Sequence, residues 1–286
     1  MLSGPASGEP SGGAEREPAL LKLAKLKGIL LGMDSVLVAF SGGVDSTFLL
    51  KAAVDTLGEK AAAITAVSPT YPESELKEAC SLAGLIGARH VIVDSNELEI
   101  PNFAENDEKR CYYCKSELFA ISRERAGSLG FKNVADGSNA DDALDYRPGR
   151  TAASELGVRS PLHEAGLTKA EIRLLSKDLG LPTWDKPSQA CLSSRFPYGT
   201  RITVERIEKV ALGEELLRSL GFRQFRVRYH GETVRIEVEE GDLGRFLDDA
   251  LRKKVVLGLK SAGFDYITLD LQGYRTGSMN ESLKKA

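Results

Sequence analysis

Apolar and polar positions recur at two different periods along this chain, and the change of period marks out its organisation. Residues 19–31 carry a helical pattern, and 35–40 (SVLVAF) form a short continuous apolar run of the buried-strand kind. A helical pattern follows at 47–57, a strand run at 61–68 (AAAITAVS), a helix at 73–86 and a strand at 90–94 (HVIVD). The same rhythm continues with a helix over 112–127 and a short strand at 133–135. Apolar strands alternating with helices predict an α/β fold, an open parallel sheet with helices on both faces. In such sheets ligands collect at the carboxyl ends of the strands.

Beyond residue 200 the pattern changes. Residues 203–220 form an amphipathic helix ending at Gly221, and the alternating runs 225–230 and 233–239 meet at Gly231 as a hairpin. Helical stretches at 242–246 and 251–262 lead to a last strand at 266–271. The expected organisation is a tail over 1–17, an α/β domain over 18–195 and a small α+β domain over 200–286. The Pro- and Ser-containing stretch 182–199 connects the last two. The tail is rich in Gly, Pro and Ser and reads as disordered.

Composition narrows the function classes. The 286 residues are 42% hydrophobic and 28% charged, an ordinary globular balance with enough chain to bury a core without disulfides. A net charge of −3 gives no global positive field, so nucleic acid is not an expected partner. No run approaches the roughly 18 apolar residues that cross a membrane, and the start lacks the order of a signal peptide. No membrane partner and a cytoplasmic location are therefore expected. Four cysteines make no disulfide framework and remain available for chemistry.

The strand at 35–40 runs straight into Ser41-Gly42-Gly43-Val44-Asp45-Ser46, which opens the next helix. Two glycines let backbone N–H groups approach an anion, and the helix N-terminus adds a favourable dipole. Neither the Walker ending GK[ST] nor GxGxxG occurs here. The same letters also suit a plain strand-to-helix turn with Ser as cap. At the end of a later strand, the stretch 136–142 (DGSNADD), with Asp136 and Asn139, faces the same side of the sheet and reads either as a nucleotide or metal contact or as a solvated loop.

Cys111 and Cys114 form a CxxC pair at a helix start, and Cys191 stands alone in a distant loop. CxxC places two thiolates within one turn, and a third thiolate would leave one iron of a [4Fe-4S] cluster open. A zinc site using His90, His163 or His230, or a Cys111–Cys114 disulfide, are the alternatives. Cys80 shares a helix face with Leu76 and Ala83 and is expected to be a buried small hydrophobe. Trp184 is expected to pack. Arg226 and Arg228 lie two apart on a strand, so both face one way, opposite Phe225, Val227 and Tyr229. Paired guanidiniums suit phosphate or carboxylate. A cross-strand charge ladder with Glu237 and Glu239 would explain them equally.

SGGVDS resembles the pyrophosphate loop of the ATP pyrophosphatase (PP-loop) superfamily. Together with DYRPG (145–149), CLSSRFPYGT (191–200), LRSLGF (217–222), RVRYH (226–230) and LDLQGYR (269–275), the chain after residue 20 resembles the LarE family. LarE enzymes are ATP-dependent sulfur transferases of nickel-pincer cofactor synthesis. They adenylate a carboxylate of pyridinium-3,5-biscarboxylic acid mononucleotide and convert it to a thiocarboxylate. The resemblance implies that Ser41, Gly42, Gly43, Asp45 and Ser46 hold the pyrophosphate of ATP and its Mg²⁺. It places the adenine against the backbone of Ala66 and Val67. The substrate it implies carries both phosphate and carboxylate, so the paired Arg226 and Arg228, and Arg195 in the same motif as Cys191, are its expected contacts. The resemblance also implies a metal-ligand role for Glu214, which as a residue of the amphipathic helix 203–220 reads equally as a solvated helix position, and a homo-oligomer, with a hexamer as the suggested form.

One subgroup of the family sacrifices the sulfur of a single cysteine, and another carries three cysteines with a cluster fed by a sulfide donor. CxxC plus Cys191 departs from the sacrificial pattern and favours the [4Fe-4S] route, with Cys111, Cys114 and Cys191 as ligands. A tRNA 2-thiolation enzyme, argued against by the acidic balance, and a non-enzymatic redox sensor are the competing readings.

Overall fold

The computed structural model describes residues 12–144, 148–187, 190–275 and 277–279. Helix α1 (Gly12–Met33) leads into strand β1 (Val36–Ala39), helix α2 (Val44–Leu57), strand β2 (Ala61–Val67), helix α3 (Glu73–Ile86) and strand β3 (Arg89–Asp94). Short α4 (Pro101–Ala104) and long α5 (Arg110–Leu129) precede β4 (Asn133–Ala135). All pairings are parallel, in the order β3-β2-β1-β4.

The continuous apolar character of the strands follows from this layering. Side chains alternate across a strand. Val36 and Val38 therefore enter a core shared with Leu26, Phe48 and Leu50, while Leu37, Ala62 and Ile64 enter another with Phe119 and Ala126 of α5. Both faces of the sheet are covered, so neither set of positions needs to be polar.

Helix α1 begins at Gly12, earlier than the pattern predicted, and crosses residues 12–17 of the expected tail. Arg16 pairs with Asp178 at 3.1 Å and Ala19 is fully buried, so its early turns have something to hold. After β4 come three helices the periodicity did not mark: α6 (Pro148–Glu155), α7 (Pro161–Ala165) and α8 (Lys169–Asp178). Helix α8 opens with a reciprocal capping box between Thr168 and Glu171.

Helix α9 (Val204–Ser219) is capped by Thr203. The hairpin β5 (Phe225–His230) and β6 (Thr233–Val238) follows, then α10 (Asp249–Ser261) and β7 (Tyr266–Leu269). Strand β7 lies parallel to β6, the outcome of a helical crossover. The core of this unit is not confined to the C-terminal region. Val227, Val234, Ile236 and Leu259 pack with Phe103, Leu192 and Phe196, and Tyr113 and Cys114 lie against the same cluster. The segments carrying the three candidate ligand cysteines thus border the second unit. No helix among the described residues is long and apolar enough to cross a membrane.

Candidate functional site

The SGGVDS turn forms an open cradle at the N-terminus of α2. Gly42 takes φ +69°, and a Cβ there would press on the Ala79 backbone of α3, so the position needs glycine. Gly43 is the N-cap of α2 without a side-chain cap, which leaves the first amides of the helix directed at the loop. Ser41 and Ser46 sit hydroxyl to hydroxyl at 3.2 Å, and Ser46 Oγ donates to the Gly43 carbonyl at 3.3 Å. The Thr47 hydroxyl is buried without a partner among the described residues. The Gly137 backbone closes the other side, since a Cβ at that position would lie 3.0 Å from the Ser46 nitrogen.

Two lysines with no signal in the sequence pattern complete the cradle. Lys169 Nζ lies 2.6 Å from Asp45 Oδ2, although 124 residues separate them. Lys186 Nζ donates to the Gly42 carbonyl at 3.1 Å and pairs with Glu78 at 2.8 Å. Asn139 Nδ2 reaches Asp45 Oδ1 at 3.4 Å. Asp136 is occupied otherwise: it accepts from Ser138 Oγ at 2.8 Å and Ser160 Oγ at 2.7 Å, shaping the loop beside Ser46.

At the end of β2 the peptide groups alternate between the two neighbouring strands. The Ile64 carbonyl accepts from Phe40 N–H on the β1 side, and the Val67 carbonyl accepts from Ser95 N–H on the β3 side. By this alternation the peptide groups of Ala66 turn toward β1, which has already ended at Ala39.

Cys111 and Cys114 occupy the first turn of α5, and Cys191 precedes the short 3₁₀ turn Leu192–Arg195. All three are free thiols in the structure. Among the described residues no three His, Cys, Asp or Glu side chains stand at metal-holding spacing. The cysteines are nevertheless neighbours. Burial foremost, then the charge of Cys191 and of Glu97, pushes the Cys114 thiol far above its ordinary range. Glu97 is itself buried, accepts from Thr70 Oγ1 at 2.7 Å and lies 4.0 Å from Cys114 Sγ.

Three arginines fix the Cys191 loop through its carbonyls. Arg195 donates to the carbonyls of Ala190 and Cys191 at 2.9 and 3.2 Å, Arg110 to that of Ser193 at 2.9 Å, and Arg228 to that of Ser194 at 3.0 Å. Burial opposes the charge on Arg110, but Cys191 and Cys111 outweigh it and hold its pKa up.

The arginines expected on the substrate therefore have protein partners. Arg195 forks onto Glu214, and Arg228 onto Glu237 at 2.7 Å with Ser278 alongside. For Arg228 the charge-ladder alternative is thus realised. Arg226 is buried with its guanidinium 5.0 Å from the Tyr274 ring centroid. Burial first, and then Arg195, push its pKa below the ordinary arginine value. Arg226 and Arg228 are as buried as the apolar residues of β5, Arg228 lying against the Ser194 carbonyl and Arg226 against Tyr274, while His230 at the end of the strand is exposed.

Glu214 does not lie on a solvated helix face. It is buried, and both oxygens accept from Arg195, Oε1 also from Val227 N–H at 3.2 Å. Cys80 is exposed rather than buried. Helix α3 turns Ala79, Leu82, Ala83 and Ile86 inward, and Ala79 fills the space behind Gly42. Asp145, Tyr146 and Arg147 of DYRPG lie outside the described residues.

A parallel sheet with an uncapped SGGVDS turn at the carboxyl end of its first strand, joined to a small C-terminal sheet, defines a PP-loop ATP pyrophosphatase fold. No family model matches the chain. It is 41% identical over 266 residues to pyridinium-3,5-bisthiocarboxylic acid mononucleotide synthase of Lactiplantibacillus plantarum, covering 93% of this chain and 96% of that protein. An uncharacterized protein of Synechocystis is 48% identical over 264 residues (92% and 98% of the two chains). An uncharacterized protein of Methanocaldococcus jannaschii is 29% identical over 263 residues (90% and 98%). The chain belongs to the LarE family.

Proposed function

We propose that this protein is an ATP-dependent sulfur transferase acting on pyridinium-3,5-biscarboxylic acid mononucleotide. A substrate carboxylate oxygen attacks the α-phosphorus of ATP and pyrophosphate leaves, giving an acyl adenylate. Hydrosulfide then attacks the acyl carbon and AMP leaves, giving the thiocarboxylate.

The observation that carries the reading is a short structural link between two loops. Tyr71 OH donates to the Ser41 carbonyl at 3.2 Å, and Leu192 N–H donates to the Thr70 carbonyl at 3.4 Å. Adjacent residues thus touch the phosphate loop on one side and the Cys191 loop on the other. Activation and sulfur delivery would occur across one cleft, as an acyl adenylate exposed to water requires.

The α2 amides, Ser41 and Ser46 would bind the leaving pyrophosphate, with Lys186 offsetting its charge. Asp45 would hold Mg²⁺, exchanging its Lys169 partner for the divalent ion. Cys111, Cys114 and Cys191 are three free thiols, the ligand type a [4Fe-4S] cluster takes, although they do not stand at metal-holding spacing here; they would hold such a cluster, which would supply sulfide for the transfer. The Arg110 and Arg195 bonds hold the Cys191 loop in place for that purpose. The adenine would meet the Ala66 peptide groups.

Incubation of anaerobically reconstituted protein with ATP, Mg²⁺, sulfide and the biscarboxylate mononucleotide tests the proposal. AMP, pyrophosphate and a substrate mass gain of about 16 Da per oxygen replaced by sulfur are expected. Substrate-independent nucleotide hydrolysis with no thiocarboxylate would overturn it.

A further inference from the structure

Two adjoining cavities near the Cys191 loop differ in chemical character. One, of about 470 Å³, is lined by Trp184, Pro187 and Tyr274, with the carboxylates of Asp185 and Glu239 and the guanidinium of Arg173, so its formal charge is acidic by one, Asp185 pairing with Arg223 at 2.9 Å. The other, of about 210 Å³, is lined by four arginines, Arg195, Arg218, Arg223 and Arg226, against two glutamates, Glu75 and Glu214. Its walls are formally cationic by two charges, although Arg195 pairs with Glu214, Arg218 with Glu215 and Arg223 with Asp185. Gln224 and Pro187 are common to both.

Gln224 precedes β5 and is 6% exposed, yet its Nε2 has no hydrogen-bond partner among the described residues. A buried amide left without a partner is costly unless a ligand completes it. Its place on the boundary selects the ligand. Flat aromatic walls with acidic neighbours suit a cationic ring, whose charge is attracted to aromatic faces. A surplus of guanidinium suits an anionic ring substituent. The occupant that meets both demands is a zwitterion, with its cationic ring in the larger cavity and a carboxylate passing Gln224 into the smaller one.

We infer that Gln224 is a specificity-determining residue, its amide N–H reading a carboxylate on the pyridinium ring at the junction of the two cavities. This rests on the proposed substrate class and adds a residue and an orientation to it. Trp184 then becomes a wall for the ring rather than only a packing residue. The amide donates where a carboxylate side chain would repel, so the site would distinguish acid from amide.

The test compares nicotinic acid mononucleotide with nicotinamide mononucleotide, which differ only in that substituent, by titration calorimetry alongside the biscarboxylate substrate. Wild type should prefer the acid. Gln224→Leu, which keeps the volume and removes the donor, should lose roughly 10- to 100-fold for the acid. Gln224→Glu should reverse the preference toward the amide, which a merely structural role would not do. Thermal melting checks that each variant folds, and either variant alone decides. Wild-type binding of the biscarboxylate with an unchanged acid-to-amide ratio in a folded variant would overturn the inference. Failure of wild type to bind the biscarboxylate at all would instead overturn the proposed function.

Discussion

Arg195 forks onto Glu214, its Nε and Nη2 lying 2.6 and 2.9 Å from the two carboxylate oxygens, with both groups almost wholly buried. The pair ties the loop after Cys191 to α9, and through Val227 N–H to β5. Removing one partner leaves the other charged and unpaired inside the protein. Glu214→Ala should therefore lose about 3–5 kcal/mol of stability in urea unfolding. A loss below about 1 kcal/mol would show that the pair does not hold the loop.

Asp45 should be required for nucleotide chemistry but not for the fold. Its side chain is part-exposed and its strong partner is Lys169. Asp45→Ala should abolish AMP release while melting near the wild-type temperature. AMP production at the wild-type rate in that variant would remove Mg²⁺ from this carboxylate.

Cys114 should be the slowest of the three candidate ligand cysteines to alkylate in cluster-free protein. Cys111 and Cys191 are exposed, whereas Cys114 is shielded and its thiol is pushed up by burial and then by the Cys191 charge. Since the thiolate is the reactive form, iodoacetamide at neutral pH should label Cys114 last. Peptide mass spectrometry gives the order, and Cys191→Ala should quicken labelling at Cys114.

The half-buried His90 gives a pH signature. Thr65 Oγ1 donates to the Phe40 carbonyl and therefore accepts from His90 Nε2 at 2.8 Å. Burial lowers the folded pKa of His90 below its ordinary value near 6.5. The unfolded chain then binds more protons, so its contribution to stability is present above about pH 6.5 and falls as pH drops below it. His90→Gln should flatten that part of the stability profile. An unchanged slope would place the titration elsewhere.

The parallel sheet was legible because apolar runs and Gly-marked turns are local signals. Helix α3 matches its predicted bounds, and β1 to β4 fall within a residue or two of theirs. The phosphate loop was legible for the same reason, as a strand, a turn and a helix in direct succession. Contacts set by tertiary packing were not. The spacing of Arg226 and Arg228 shows that they share a face, but not that Arg228 lies against the Ser194 carbonyl and Arg226 against Tyr274. Nor could the pattern show Lys169 reaching Asp45. Cys80 was misplaced because the inward face of α3 is set by small alanines behind Gly42, and apolar periodicity weighs those weakly.

The fate of Cys191 tests the account most directly. On the cluster reading, sulfur comes from outside the protein and the thiol survives. Intact-mass and peptide mass spectrometry of the wild-type protein, after several turnovers with ATP, sulfide and the biscarboxylate mononucleotide, reads this at one residue. The account predicts an unmodified Cys191 together with thiocarboxylate in excess of enzyme. Loss of the Cys191 sulfur as dehydroalanine, about 34 Da lighter, with product limited to one sulfur per chain, would contradict it.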